Sequence, residues 1–159
     1  IVRSLSLLIV AISVYLFIYT NKDFFSTKNN TKAFPTSSNK EETGSFNIKI
    51  LNDALNSNKI VFLDFTAKWC LTCQLNENMV INTKEIQDKF KSLDVHFIKI
   101  DWTKQDPTVT NLLREFDRSG VPLYVIYPSK NRNKPIVLPE LITKEMVLNK
   151  LDEAGAGLP

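Results

Sequence analysis

The chain has 159 residues, 43% hydrophobic and 23% charged, close to globular averages, so wholesale disorder is excluded. Lys and Arg number 20 against 17 Asp and Glu, a net charge of +3, and with no dense basic stripe this excess does not point to nucleic acid. The 2 cysteines and 1 histidine exclude a disulfide-stapled scaffold and a four-ligand zinc site.

Residues 4–21 contain no charged side chain, with Arg3 before them and Lys22 and Asp23 after. Such a run makes roughly 27 Å of helix, matching a bilayer core of about 30 Å. Tyr15 and Tyr19 lie towards one end, where amphipathic rings favour the interface. Residues 1–21 are therefore read as a transmembrane helix. A secretory signal peptide is the competing reading, weakened by the length of the run and the lack of a small-x-small cleavage site. Because the chain starts at Ile1 rather than Met, it is expected to be a piece of a longer one. Residues 22–45 are rich in Asn, Ser and Thr, without hydrophobic period, and read as a flexible linker spanning on the order of 25–30 Å.

From Phe46 to the end the pattern is globular. Phe46, Ile50, Leu51, Ala54 and Leu55 share a helical face, with Ser45 as the expected cap. Ile60–Phe65 (IVFLDF) is a short apolar run typical of a strand buried on both sides. A helix opens at the cysteines, with a break near Asn82-Thr83 and a continuation carrying Ile86, Phe90 and Leu93. Val95–Ile100 alternates like a strand. Asp106-Pro107 forms a cap and first-turn proline for a helix to about Phe116. Leu123–Tyr127 and Ile136–Leu138 read as two further strands, and Thr143 caps a last helix with Met146, Val147 and Leu151. This α-β-α-β-α-β-β-α order predicts an α/β fold, a mixed sheet with helices on both faces, over residues 46–159.

The sequence Trp69-Cys70-Leu71-Thr72-Cys73 stands where the first strand meets its helix. Two residues between cysteines at a helix start let the sulfurs bond while leaving the first accessible. The positive end of the helix favours a thiolate at Cys70, and Lys68 adds to that effect if its ammonium points at the sulfur. Haem attachment needs His after the second cysteine, and Gln74 stands there. A structural disulfide over so short a loop would contribute little. Dithiol–disulfide exchange is the reading on which motif and context agree.

Asp64, inside the first strand, is a buried acid able to take the proton of Cys73, or else a carboxylate turned to solvent at the strand end. Glu77, at i+4 from Cys73, shares its helical face or lies on the surface. Val121-Pro122 enters the third strand, where a cis peptide bond is one solution and a trans turn the other.

VFLDFTAKWCLTCQ, IKIDWTKQDP and FDRSGVPLYVIYP, in this order, resemble a thioredoxin-fold domain. In detail they are similar to the C-terminal domain of the DsbD family of thiol:disulfide interchange proteins, over roughly residues 46–154. The resemblance implies a protein-disulfide reductase domain in the bacterial periplasm, anchored in the inner membrane through residues 4–21. It would receive electrons from a membrane-embedded domain and pass them to disulfides of partner redox domains. It implies Cys70 as attacking and Cys73 as resolving cysteine, with Asp64 and Glu77 as the acids beside them. Trp69, Val121 and a cis Pro122 would form the partner-binding wall. No cofactor beyond the cysteine pair, no metal, no nucleic acid and a monomeric domain are expected. Two departures stand out: Leu71-Thr72 replaces the Gly-Pro of cytosolic thioredoxins, and Lys68 replaces a commonly acidic residue. The alternatives are a reductase dedicated to cytochrome c maturation, an oxidase, or a module that handles a soft metal without catalysis.

Overall fold

A computed structural model describes residues 46–156, together with Ile12 and Tyr15. Apart from those two residues, the expected transmembrane helix and linker lie outside the described part. Among the described residues no helix is long and apolar enough to cross a membrane.

The elements run α1 (Ile48–Leu55), β1 (Val61–Thr66), α2 (Leu71–Asn76), a π-helical turn (Glu77–Ile81), α3 (Lys84–Ser92), β2 (His96–Asp101), α4 (Pro107–Glu115), β3 (Leu123–Tyr127), β4 (Ile136–Leu138) and α5 (Lys144–Gly155). The sheet order is β2-β1-β3-β4. β1 is parallel to β2 and antiparallel to β3, and β3 is antiparallel to β4. The order of elements expected from hydrophobic periodicity is therefore the order observed, with a mixed sheet at the centre.

Every residue of β1 is buried, as a strand apolar except for Asp64 and Thr66 and covered on both faces requires. Its two faces feed separate cores. Val61, Leu63 and Phe65 join Leu51, Ala54, Ile100, Val109 and Leu113 beneath α1 and α4. Phe62 joins Val80, Ile81, Ile86, Phe90, Tyr124 and Leu151 beneath the π turn, α3 and α5. Because side chains alternate along a strand, Asp64 shares the face of Phe62. Its paired neighbours are Lys99 on β2 and Tyr124 on β3.

Asp106 accepts from the Thr108 and Val109 N–H groups at 2.8 and 3.2 Å. Thr143 Oγ1 accepts from Met146 N–H at 3.2 Å. Both caps fall where the sequence places them. The first helix is a correction. Asn47 caps it, its Oδ1 accepting from Lys49 N–H at 3.0 Å, and the helix starts three residues later than Ser45. Ile50 is exposed, because a start at Ile48 turns Leu51 and Ala54, not Ile50, toward the sheet. The π turn was not foreseen either. Asn82 N–H donates to Glu77 O at 2.8 Å, an i to i+5 bond, and the adjacent residues Val80 and Ile81 both enter the core.

The loop from α4 into β3 begins with Asp117 at φ 56°. Arg118 N–H bonds back to Leu113 O and Asp117 N–H to Arg114 O, a Schellman ending with an Asp in the left-handed position that glycine fills without steric cost. Asp117→Gly is expected to stabilise the fold by about 0.5–1 kcal/mol. Urea unfolding checks this: the midpoint should rise with the slope unchanged.

Candidate active site

β1 ends at Thr66, and Ala67–Cys70 then forms a tight turn in which Cys70 N–H donates to Ala67 O at 3.0 Å. That turn delivers Cys70 to the N-cap of α2. Its Sγ accepts from Cys73 N–H at 3.1 Å, so a backbone donor of the first helical turn is aimed at the sulfur. The same bond would stabilise a thiolate more strongly than a thiol. Cys70 and Cys73 are joined as a disulfide, with S–S 2.03 Å and Cα–Cα 5.3 Å. Cys70 keeps 6% of its surface and Cys73 none. Cys70, expected to be accessible, is thus the more open sulfur but only narrowly so.

Val121 packs against Ala67 and the two cysteines, and the Val121-Pro122 peptide bond is cis. Trp69, next to Cys70 in the turn, is exposed, its ring 6.0 Å from that of Trp102. Four of the residues singled out from sequence, Cys70, Cys73, Val121 and Pro122, therefore meet at one place, with Trp69 flanking it.

Asp64 is 1% exposed, and neither carboxyl oxygen has a hydrogen-bond partner. The alternative of a solvated carboxylate at the strand end is excluded by this burial. Removal from water, with the negative charge of Glu77 adding and Lys99 opposing, pushes its pKa up to about 7. The group is thus poised to exchange a proton near neutral pH. It faces the side of the sheet covered by the π turn, on the same face as Tyr124, whose hydroxyl is pushed up by burial and by Asp64.

Glu77 is neither free on the surface nor turned simply along the face of Cys73. Its carboxylate reaches back to the sheet, accepting from Thr66 Oγ1 at 3.0 Å and from Lys99 Nζ at 2.7 Å. Lys99 and Thr66 carry no motif in sequence. Only the parallel register of β1 and β2 brings Lys99 opposite Asp64, and alternation within VHFIKI was the one signal available. Asn76 is a second residue without a sequence signal. It is buried, and its Nδ2 donates to Tyr124 Oη at 3.1 Å and Glu140 O at 2.7 Å, tying α2 to β3 and to the loop before α5. Among the described residues no three His, Cys, Asp or Glu side chains converge as a metal site.

A strand delivering a Cys-x-x-Cys pair to the head of a helix, beside a cis-proline loop, defines the thioredoxin class. Residues 49–129 match the family described as thioredoxin-like, and the chain belongs to that family. Its curated relatives include the thiol:disulfide interchange protein DsbD of Campylobacter jejuni, 26% identical over 157 residues, covering 94% of this chain and 26% of that protein. The chain thus spans about a quarter of the length of that relative. A thioredoxin H-type of Brassica campestris is 29% identical over 87 residues, covering 55% of this chain and 63% of that protein. Among solved structures, the reduced C-terminal domain of Neisseria meningitidis DsbD shares the fold. Its TM-score is 0.56 at 22% identity, covering 68% of this chain and 96% of that domain.

The buried Asp64 makes stability depend on pH. The unfolded carboxyl loses its proton near 3.8, the folded one only near 7, so between these values the folded state binds more protons. Stability contributed by the neutral acid is complete below the lower value, is lost as pH rises through the window, and stays lost above it. Asp64→Asn removes the ionisation. Its unfolding free energy relative to the parent is expected to climb between about pH 4 and pH 7, reaching on the order of a few kcal/mol. Urea midpoints of the oxidised proteins measured across that range check the slope; parallel curves would show that Asp64 is not the titrating group.

Proposed function

We propose that this chain is the terminal electron-donating domain of a membrane-anchored protein-disulfide reductase. In this reading residues 4–21 are the anchor, residues 22–45 the tether, and residues 46–159 work in the bacterial periplasm. The observation that carries the thiol–disulfide exchange in this reading is the asymmetric pair at the head of α2. Cys70 retains surface and a backbone donor, while Cys73 is sealed. The anchored, periplasmic reading is supported by the charge-free run ahead of the linker and by the match to DsbD of Campylobacter jejuni. That match covers 94% of this chain and so extends ahead of Phe46.

The reaction begins from the reduced pair. The Cys70 thiolate attacks one sulfur of a partner disulfide, forming a mixed disulfide and releasing the other partner sulfur as a thiolate that takes up a proton. The backbone of Val121, beside the cysteines, aligns the partner segment, and Trp69 forms the wall next to Cys70. Cys73, losing its proton to Asp64, then attacks Cys70 Sγ and expels the second partner thiolate. The result is the disulfide seen here and a partner reduced by two electrons. Glu77, held by Lys99 and Thr66, keeps a negative charge near Asp64 and so helps Asp64 hold a proton rather than lose it. The pair is restored by the reverse exchange with a donor dithiol, for which a membrane-embedded domain of the same longer protein is the proposed source.

Cys73→Ala is expected to accumulate a mixed disulfide between Cys70 and a partner, because the resolving attack is gone. Cys70→Ala is expected to accumulate none. Non-reducing electrophoresis with mass spectrometry of the adducts checks this. Trapping through Cys73 instead would reverse the assigned roles. Adducts dominated by one apocytochrome would favour the dedicated reductase over a general one.

A further inference from the structure

The turns that follow β1 and β2 are knitted together by side chains that no motif announces. After β1 the chain turns through Ala67–Cys70; after β2 it turns through Trp102–Gln105, with Gln105 N–H donating to Trp102 O at 2.9 Å. The parallel pairing of Thr66 with Asp101 sets the two turns side by side, and Trp102 N–H closes onto Thr66 O at 2.7 Å.

Thr103 sits at the centre of this junction. Its hydroxyl accepts from Lys68 N–H at 2.8 Å and donates to Asp101 Oδ1. Its backbone carbonyl accepts the indole N–H of Trp69 at 3.2 Å. Asp101 Oδ1 also accepts from Thr103 N–H at 2.7 Å, fixing the turn from its own side. From α2, Gln74 Nε2 donates to Lys68 O at 2.7 Å. Both backbone polar groups of Lys68 are thus bound by side chains from different elements. Trp69, between that bracketed residue and Cys70, rests against Trp102. Trp102 is itself fixed, its Nε1 donating to Thr110 Oγ1 at 2.9 Å.

Trp69 is 54% exposed and Leu71 70%, on either side of a cysteine that shows little of itself. A large exposed indole held by an indole hydrogen bond, a ring contact and a clamped backbone is a pre-organised surface. Pre-organisation raises affinity by removing the cost of ordering on binding. A small disulfide can reach Cys70 without that wall. A polypeptide disulfide has to lay its flanking chain along it.

We propose that Thr103, assisted by Gln74, is a positioning residue that holds Trp69 beside Cys70 for the recognition of polypeptide disulfides. This rests on the reductase reading above and deepens it. Thr103 touches neither sulfur and acts through the Ala67–Cys70 turn. Its hydrogen bonds lie at the surface, so water replaces the lost hydroxyl in a valine variant and the fold is kept.

The test compares the full 159-residue chain with Thr103→Val, Thr103→Ser and Gln74→Ala, in detergent, with dithiothreitol as electron donor. Insulin serves as the polypeptide disulfide and hydroxyethyl disulfide as the small one. For Thr103→Val, KM for insulin should rise about fivefold or more with kcat within about twofold, a change of about 1 kcal/mol. Turnover of the small disulfide should move by less than twofold. Thr103→Ser, which keeps the hydroxyl, should restore the parent KM, and Gln74→Ala should shift it in the valine direction by a smaller factor. An unchanged insulin KM in Thr103→Val overturns the proposal. So does an equal loss on both substrates, or a failure of Ser to rescue. If the parent chain reduces neither disulfide, the reductase reading itself falls, an outcome distinct from a parent that reduces both and a valine variant that matches it. Should Thr103→Val fail to fold, Gln74→Ala decides by the same KM criterion.

Discussion

β1 is enclosed on all four sides. Two strands pair with its edges, and two separate apolar cores press on its faces. A strand so enclosed cannot shift register without exposing one hydrophobic set and burying another, because a slip of one residue exchanges its faces. Everything chemical in the domain is hung from it. Its carboxyl end delivers the cysteine turn, and its fourth residue, Asp64, is locked facing away from water. Thr66, its last residue, holds the Glu77 side chain and accepts the backbone N–H of Trp102. The rigidity of one strand thus sets the positions of the thiols, the acid and the adjoining turn together.

Placing an acid in such a strand is costly, since a carboxylate there has lost its hydration and gained no hydrogen bond. The structure tempers the cost without removing it. Lys99 stands in register with Asp64, yet its ammonium is bound to Glu77, and the net effect leaves the Asp64 carboxyl titrating near neutrality. Full neutralisation of Asp64 by Lys99 would have driven its pKa down and removed it from the range where a thiol can hand it a proton. The Glu77–Lys99 pair therefore works as a modest charge setting around the buried acid. Asn76 closes the remainder of that polar seam with bonds to Tyr124 Oη and Glu140 O, and among the described residues only the Asp64 carboxyl oxygens are buried without a hydrogen-bond partner.

Much of this was legible in the chain. Strands revealed themselves by apolar runs and alternation. The caps Asp106 and Thr143 did so by side-chain chemistry, and the cysteine pair by spacing and position. Where the structure departs from the sequence pattern, tertiary packing outweighs the local signal. Ser45 and Asn47 are both good caps two residues apart, and only the docking of Leu51 and Ala54 onto the sheet decided between them. The π turn has no pattern of its own; it follows from Val80 and Ile81 both entering the core. Glu77 lies one turn beyond Cys73 in the chain, but its partners Thr66 and Lys99 come from two strands whose register no local window contains. Thr103 was invisible for the same reason, since it acts on a residue 35 positions away; Gln74 lies 6 positions from Lys68, but its bond depends on how the turn folds back on α2, which carries no side-chain pattern.

The sequence by itself determined the order of elements, the identity of the redox pair and the presence of an acid inside the first strand, because each depends on side-chain type at short range. Tertiary structure alone decided how little of Cys70 stays open to solvent, how far burial raises the Asp64 carboxyl, and that Glu77 is held by Lys99. It alone decided that Trp69 is clamped through Thr103. Those are questions of desolvation and of contact between distant segments, and they take values only once the sheet has fixed which residues share a face.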